Sequence, residues 1–151
     1  MKLTPFIPET GIFVNFEAKN KLNFFSKSVK EIVSIHPEFD EEELLDLFLK
    51  REETLTTGIG KGVAIPHVVY GMCKQHEIFV FKLKKPLDFN SLDGKPVSIV
   101  FMLVGNAAKS NLIHLQILAK LARLMKRDDF INGLMKAETK EEILEIIKKY
   151  E

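Results

Sequence analysis

His67 is the residue whose surroundings in the sequence most clearly favour chemistry. It follows Pro66 and a short apolar segment, and three glycines precede it at alternate positions: Gly58, Gly60 and Gly62. Glycines let backbone N–H groups approach a ligand closely, and such groups can hold a phosphate. An imidazole beside them would titrate near neutral pH and would be nucleophilic when neutral. The alternative is a loop histidine without a chemical role.

Two further polar residues lie on helix faces where apolar residues are expected. In the helix predicted over residues 110–125, His114 lies opposite a solvent-facing stripe made of Gln116, Lys120, Arg123 and Arg127. In the helix that begins after Asp40, Arg51 ends an apolar stripe made of Leu44, Leu47 and Phe48. His114 could equally be a core histidine with satisfied hydrogen bonds. Arg51 could extend to solvent or bind carbonyls at the end of its helix.

Several common site motifs are absent from the sequence. The segment from Gly58 to Gly62 is neither a G-x-G-x-x-G fingerprint nor a P-loop. There is no nucleophile elbow, H-E-x-x-H or C-x-x-C pattern. Cys73 and His76 lie three positions apart, but two ligands do not make a metal site, so we expect no metal. His36 and His76 are expected to be exposed loop residues.

The elements that must position these side chains alternate between strands and helices. Apolar runs predict strands at residues 11–16, 63–65, 77–83 and 97–104, with the last strand central in the sheet. Helices are predicted over residues 20–35, from 40 onward, and over 110–125, 128–135 and 139–149. Capping boxes indicate helix starts at Asp40 and Thr139. The glycine-rich segment from Thr57 to Gly62 is expected to be a loop or tight turn.

This alternation indicates an α/β fold in which helices cover both faces of a sheet. No linker, low-complexity tract or internal repeat divides the 151 residues. Domains usually contain about 100–150 residues, so a single domain over residues 1–151 is expected.

The composition excludes several function classes. The net charge is +1, which provides no positive field for nucleic acid or anionic lipid. The longest apolar run, Ile99 to Val104, is far too short to span a membrane, and no signal peptide is apparent. A single cysteine, Cys73, excludes an intrachain disulfide and fits a reducing compartment. We therefore expect a cytoplasmic protein that does not bind nucleic acid.

Three stretches of the sequence, taken in order, resemble one family. The first contains Leu49-Lys-Arg51-Glu52-Glu53 and Thr56-Thr57-Gly58-Ile59-Gly60-Lys-Gly62-Val63-Ala64-Ile65-Pro66-His67. The second contains Pro86-Leu87-Asp88-Phe89 and Asp93-Gly94-Lys-Pro96-Val97, and the third runs from His114 to Ala122. Together they resemble the fructose/mannitol-type IIA domain of the bacterial phosphoenolpyruvate-dependent sugar phosphotransferase system. The similarity begins near Glu43, and the first forty residues match only in the order of their elements.

The resemblance implies a reversible phosphohistidine carrier built on a mixed sheet. In this family, the histidine of the Ile-Pro-His stretch takes phosphate from the phosphocarrier protein HPr and passes it to a IIB domain. By that match His67 is phosphorylated, and His114 and Arg51 face the phosphate. Thr57, Gly58 and Gly60 could add neutral donors. Transfer between two protein donors requires no metal and no cofactor, so none is expected.

Two functions are considered in detail, and a third, a non-catalytic binding domain, would require His67 to be unreactive. The first is delivery of phosphate to a IIB domain for sugar uptake, with a membrane permease involved only indirectly. The second is a nitrogen-related regulatory protein whose phosphorylation state at His67 controls binding to other proteins. In either case we expect every partner to be a separate polypeptide. The residues after His67 are Val68-Val69-Tyr70 where many relatives have a small residue, which leaves partner choice undetermined.

Overall fold

The computed structural model describes residues 1–108 and 111–151, and within them one mixed sheet organises the chain. Its strands, in chain order, are β1 Ile12–Phe16, β2 Gly58–Gly60, β3 Val63–Ala64, β4 His67–Tyr70, β5 Glu77–Leu87 and β6 Val97–Asn106. The spatial order is β1-β5-β6-β3-β2, and β4 also pairs with β6. β6 pairs antiparallel with β5 and parallel with β3 and β4. The central position predicted for this strand is confirmed.

Helices cover both faces of the sheet, as the sequence predicts. They are α1 Lys21–Ile35, α2 Glu41–Thr54, α3 Asn111–Leu124, α4 Asp128–Lys136 and α5 Lys140–Tyr150, and a 3-10 turn spans Thr4–Phe6. One buried cluster lies under α1 and α2 and is rich in phenylalanine. A second, mainly aliphatic cluster lies under α3, α4 and α5. None of the helices in the described residues is both long and apolar enough to cross a membrane.

The predicted helix starts are confirmed by their caps. Asn20 accepts a hydrogen bond from the backbone N–H of Asn23, and Asp40 accepts one from Glu43. Thr139 accepts one from the N–H of Glu142. Each bond satisfies a donor that the first turn of a helix leaves without an intrahelical partner. The predicted start of α3 at Ser110 lies outside the described residues.

The glycine-rich segment was predicted to be a loop or tight turn, and it contains a strand as well as a turn. Residues 58–60 form strand β2, which pairs antiparallel with β3 in a tight hairpin. The hairpin turns through Gly60, Lys61 and Gly62, which have φ values of 104°, 57° and 81°. Glycine adopts positive φ without steric cost, which explains two of these three positions. The alternating glycines thus form a strand edge and a turn, two features that composition alone could not distinguish.

Lys82 joins the sheet to the end of α4. Its Nζ donates to the carbonyls of Leu134, Met135 and Ala137 at 3.0, 2.9 and 2.7 Å. These carbonyls lie at the C-terminal end of the helix, where cations interact favourably with the helix dipole. Burial lowers the pKa of Lys82, and Glu138 and Glu142 oppose that effect. One lysine of β5 therefore replaces the hydrogen bonds that the last turn of α4 lacks.

We predict that Lys82→Met lowers the free energy of unfolding by about 1–3 kcal/mol, because three carbonyls lose a charged donor. Lys84→Met is a matched control, since Lys84 is exposed and its one ion pair among the described residues is with Glu17, at 2.9 Å. An exposed ion pair contributes less than about 1 kcal/mol. Urea titration measures both variants. Equal stability of the two variants would show that the Lys82 contacts do not support α4.

Candidate functional site

His67 lies where the chain steps from one partner strand of β6 to the next. β3 pairs with the first half of β6 and β4 with the second half, with His67 opposite Leu103. The step consists of Ile65 and Pro66, and the Pro66 carbonyl accepts a hydrogen bond from the N–H of Leu103. The sequence predicted His67 just after a strand, whereas it is the first residue of β4. The half-buried imidazole is therefore anchored to the central strand.

One hydrogen bond sets the protonation of the His67 ring. Its Nδ1 lies 2.8 Å from the carbonyl oxygen of Ile65. A carbonyl only accepts, so Nδ1 must carry the proton, and in the neutral ring Nε2 then carries a free lone pair. The structure thereby selects Nε2 as the nucleophilic atom.

The surroundings keep this imidazole neutral. Burial is the main cause that lowers the pKa of His67, and the positive charge of Arg51 adds to it. The bond to the Ile65 carbonyl and the charge of Glu52 act in the opposite direction. A lowered pKa means that the neutral ring predominates at neutral pH and persists below the ordinary titration range of histidine.

His114 lies on the buried side of α3, as the helical periodicity predicts. It is 7% exposed, and its ring centre lies 6.0 Å from that of His67. Its Nδ1 is buried and has no hydrogen-bond partner among the described residues. Burial lowers the pKa of His114, and His67 and His76 add to that effect. The ring is therefore a neutral neighbour of His67 rather than a second positive charge.

Arg51 lies at the end of α2 and is half-buried. Its Nη1 donates to the carbonyl of Leu55 at 3.0 Å, a contact at the helix C-terminus of the kind expected for a structural arginine. The same guanidinium is close enough to His67 to lower the pKa of that ring. Within residues 1–108 and 111–151 the Leu55 bond is its single hydrogen bond. The remaining N–H groups are therefore available for an anion.

Thr57 is held by a carboxylate. Its backbone N–H donates to both oxygens of Glu52 at 2.8 and 2.9 Å, and its hydroxyl donates to the same carboxylate at 2.5 Å. Glu52 also pairs with Lys21, at 3.4 Å. Both donors of Thr57 are therefore occupied in this structure. From the sequence, Thr57 was expected to offer a neutral donor to the phosphate.

Gly58 and Gly60 contact the loop that follows β5. A Cβ on Gly58 would lie 2.3 Å from the Ser91 hydroxyl, and one on Gly60 would lie 3.2 Å from the Asp93 carboxylate. The N–H of Gly58 bonds to the side chain of Thr56. The two glycines thus let the β2–β3 hairpin pack against this loop.

Sequence reasoning missed His76. It was expected to be an exposed loop residue, yet it is 5% exposed and its ring centre lies 5.9 Å from that of His114. His36 was also expected in an exposed loop, but it follows α1, stacks on Phe39 and bonds to Glu77 at 2.5 Å. No group of three metal-ligating side chains with suitable geometry occurs among the described residues. The burial of His76 depends on strand pairing, which leaves no local signal.

Comparison with protein-family models identifies one match. The model described as "Phosphoenolpyruvate-dependent sugar phosphotransferase system, EIIA 2" covers residues 5–150. The fructose-specific EIIABC component of Bacillus subtilis is 31% identical over 151 residues, which is 100% of this chain and 24% of that protein. The nitrogen regulatory protein of Pseudomonas aeruginosa is 33% identical over 135 residues, covering 89% of this chain and 86% of that protein. The chain thus spans about a quarter of the first relative and most of the second.

Solved structures show the same fold. The nitrogen regulatory protein IIA-Ntr of Neisseria meningitidis superposes with a TM-score of 0.87 at 27% identity, covering 95% of this chain and 97% of that one. The mannitol enzyme IIA of Escherichia coli, solved in complex with phosphorylated enzyme IIB, superposes with a TM-score of 0.74 at 17% identity. That alignment covers 94% of this chain and 96% of the other, and at this identity the similarity shows only that the two share a fold.

We predict that His67 titrates below 6.5, and that Arg51→Met raises its midpoint because a positive charge beside the ring is lost. Nitrogen-15 NMR of the ring against pH measures both. Lys50→Met is a matched control, because Lys50 is exposed and pairs with Asp46 at 2.9 Å. An unchanged midpoint in Arg51→Met would show that the guanidinium does not face His67.

Proposed function

The chain belongs to the EIIA 2 family of the phosphoenolpyruvate-dependent sugar phosphotransferase system, and from that membership we propose that His67 is its phosphoryl-carrying residue. Members of the family transfer phosphoryl groups through a histidine, and IIA domains pass phosphate from HPr-type proteins to IIB domains. The observation that carries the assignment is the bond from Nδ1 to the Ile65 carbonyl, which leaves Nε2 as a lone-pair nucleophile on a half-buried ring.

The proposed step is a direct displacement at phosphorus. The Nε2 lone pair of His67 attacks the phosphoryl group of the donor phosphohistidine, and a new N–P bond forms as the donor's N–P bond breaks. The bonding pair returns to the donor imidazole. No proton needs to leave His67, because Nδ1 keeps its own. In the second transfer, a thiolate of the IIB domain attacks the same phosphorus and the electron pair returns to Nε2.

Arg51 and His114 are proposed to hold the phosphoryl oxygens. The free N–H groups of Arg51 can bind two oxygens at once, and phosphoryl transfer depends chiefly on such positioning and charge stabilisation. His114 adds a neutral donor close to His67. It also lies in the first turn of α3, where the helix dipole favours negative charge. This arrangement requires no metal or cofactor.

Thr57, Gly58 and Gly60 are proposed to support the phosphate through the shape of the hairpin. Because the donors of Thr57 bind Glu52, the contribution of Thr57 is to tie the hairpin to α2 beside Arg51. The two glycines permit the hairpin to pack on the loop after β5, and the Thr57 carbonyl accepts a hydrogen bond from the N–H of Ile65 in the segment leading to His67.

Partner proteins are proposed to dock on an apolar surface around His67. The strand and hairpin next to it expose Val69 and Ile59, each 41% exposed, and the first turns of α3 expose Leu115. Val68 and Tyr70 are buried, and the Tyr70 hydroxyl accepts a hydrogen bond from the N–H of Asp40. Of the three residues after His67, Val69 is therefore the one available to a partner. Exposed apolar side chains grouped around a reactive residue are typical of transient interfaces.

We propose that the phosphoryl group goes to a IIB domain for sugar uptake, which the fructose-specific relative favours. Nitrogen regulation is the second candidate, since a nitrogen regulatory protein aligns over most of its length. In both cases the donor is an HPr-type protein, a membrane permease takes part only indirectly and nucleic acid does not. We further propose that residues 1–151 act as one domain in the cytoplasm, where IIA domains typically operate. Phosphate transfer to the cysteine of a purified IIB domain distinguishes the two roles.

The proposal predicts that label from phosphoenolpyruvate, supplied through enzyme I and HPr, appears on the wild-type chain in acid-labile form and is absent from His67→Ala. His36→Ala is the matched control and should accept label normally, because the His36 ring bonds to Glu77 and stacks on Phe39 rather than facing the Ile65 carbonyl's partner, His67. Label that persists in His67→Ala, or that maps to His114, would refute the assignment.

Arg51→Met should slow single-turnover transfer by about 10²-fold, as expected for loss of a transition-state donor. Its melting temperature should not fall, because the guanidinium makes one hydrogen bond to the part of the chain that the structure describes. Lys50→Met should transfer at the wild-type rate. A variant that melts well below wild type but transfers normally would make Arg51 a structural residue.

The docking surface predicts that Val69→Asp slows exchange with phosphorylated HPr through a higher half-saturating concentration, by about tenfold, with folding intact. The physical reason is that a desolvated charge opposes apolar contact. Leu22→Asp on α1 is a control of similar chemistry, since Leu22 is 62% exposed. Equal effects of the two substitutions would place the interface elsewhere.

A further inference from the structure

Three histidine rings lie in a row that leads inward from the half-buried His67. The ring centres of His67 and His114 are 6.0 Å apart, and those of His114 and His76 are 5.9 Å apart. The two inner rings are almost fully buried. They come from α3 and from the residue directly before β5, so the row is assembled by the tertiary fold.

The backbone holds the His76 ring in one orientation. The N–H of Asn106, at the end of β6, donates to Nδ1 of His76 at 3.3 Å. An amide N–H only donates, so Nδ1 must be unprotonated and the proton of the neutral ring lies on Nε2. Protonation of Nδ1 would break this bond and place a charge in a buried position. The hydrogen bond from Asn106 thus fixes the orientation of the His76 ring.

The rings of His114 and His76 both lie close to Gly105 in β6. A Cβ at Gly105 would lie 2.5 Å from Nδ1 of His114 and 3.2 Å from Nδ1 of His76. Real Cβ atoms do not approach ring nitrogens as closely as 2.5 Å, so His114 can occupy its place only because residue 105 lacks a side chain. The end of β6 therefore serves as a shared support for the two rings.

The His114 ring makes no hydrogen bond to the described residues through Nδ1, the nitrogen nearest to β6. On that side, packing therefore has to set the orientation of the ring. Gly105 of β6 and the ring of His76 are two of the neighbours that lie against it.

We propose that His76 is a positioning residue of the phosphate site, whose ring, held by the Asn106 amide, packs against His114 and keeps that imidazole directed toward His67. The proposal rests on the proposed function only where phosphate is concerned. The orientation of His114 is a property of the unphosphorylated protein. His76 itself touches neither phosphate nor His67 in this scheme.

The first test is His76→Asn, which leaves an acceptor for the Asn106 amide but removes the ring beside His114. In the unphosphorylated protein, nitrogen-15 NMR should show that the titration midpoint of His114 rises, because water and freedom of motion replace the packed ring. The single-turnover rate of transfer from phosphorylated HPr should fall about tenfold, since small misplacements of a donor are costly. The half-saturating HPr concentration should stay unchanged, because the docking surface is intact.

Two further variants complete the design. His36→Asn makes the same substitution at a histidine that stacks on Phe39, and it should alter neither the His114 signals nor the transfer rate. His76→Phe restores a ring at position 76 and should return both measurements toward wild type. It also provides the comparison if His76→Asn does not fold.

The proposal is overturned if His114 and the rate are unchanged in His76→Asn, or if His76→Phe is as slow as His76→Asn. If wild-type protein accepts no phosphate, the proposed function fails, and the NMR comparison still decides whether His76 positions His114.

Discussion

The hydrogen bond from Nδ1 of His67 to the carbonyl of Ile65 is the interaction on which the site depends. It joins a side chain to a backbone group only two residues earlier, so it forms only if the chain bends between them. The bend exists because β3 and β4 both pair with β6, separated by Ile65 and Pro66. A proline at this point has no N–H to leave unsatisfied, and it restricts the preceding residue to extended conformations. The pairing of the central strand thus determines which nitrogen of His67 is nucleophilic.

A network of charges fixes the surroundings of that ring. Glu52 binds Thr57 through two donors and pairs with Lys21, whose Nζ also donates to the Phe89 carbonyl at 3.0 Å. Glu52 therefore ties α2 to the β2–β3 hairpin, α1 and the loop after β5. Because Arg51 is the preceding residue in α2, the same contacts place the guanidinium beside His67. A carboxylate with several partners can remain buried, whereas an unpaired one could not.

Features with local causes were predictable from the sequence. Asp40 and Thr139 cap their helices because a side-chain oxygen reaches an N–H three residues away, and His114 follows from helical periodicity. Features that depend on distant residues were not predictable. His76, for example, is buried because β5 and α3 meet at the end of β6. Resemblance to a family led us to expect His67 and Arg51 in the site, but which ring nitrogen carries the lone pair required the position of the Ile65 carbonyl.

The balance of charge at the site suits a group that must leave again. Arg51 is the permanent cation acting on His67, and Glu52 opposes its effect on the ring. His114 adds no charge, because burial and its two neighbouring rings hold its pKa down. In the proposed cycle, a cluster of positive charges would stabilise the phosphohistidine so strongly that the second transfer would slow, since only interactions stronger in the transition state accelerate a step. One guanidinium, a neutral imidazole and a nearby carboxylate can stabilise the transferring group without trapping it, which gives the proposed cycle a physical reason for the burial of His114 beside His67.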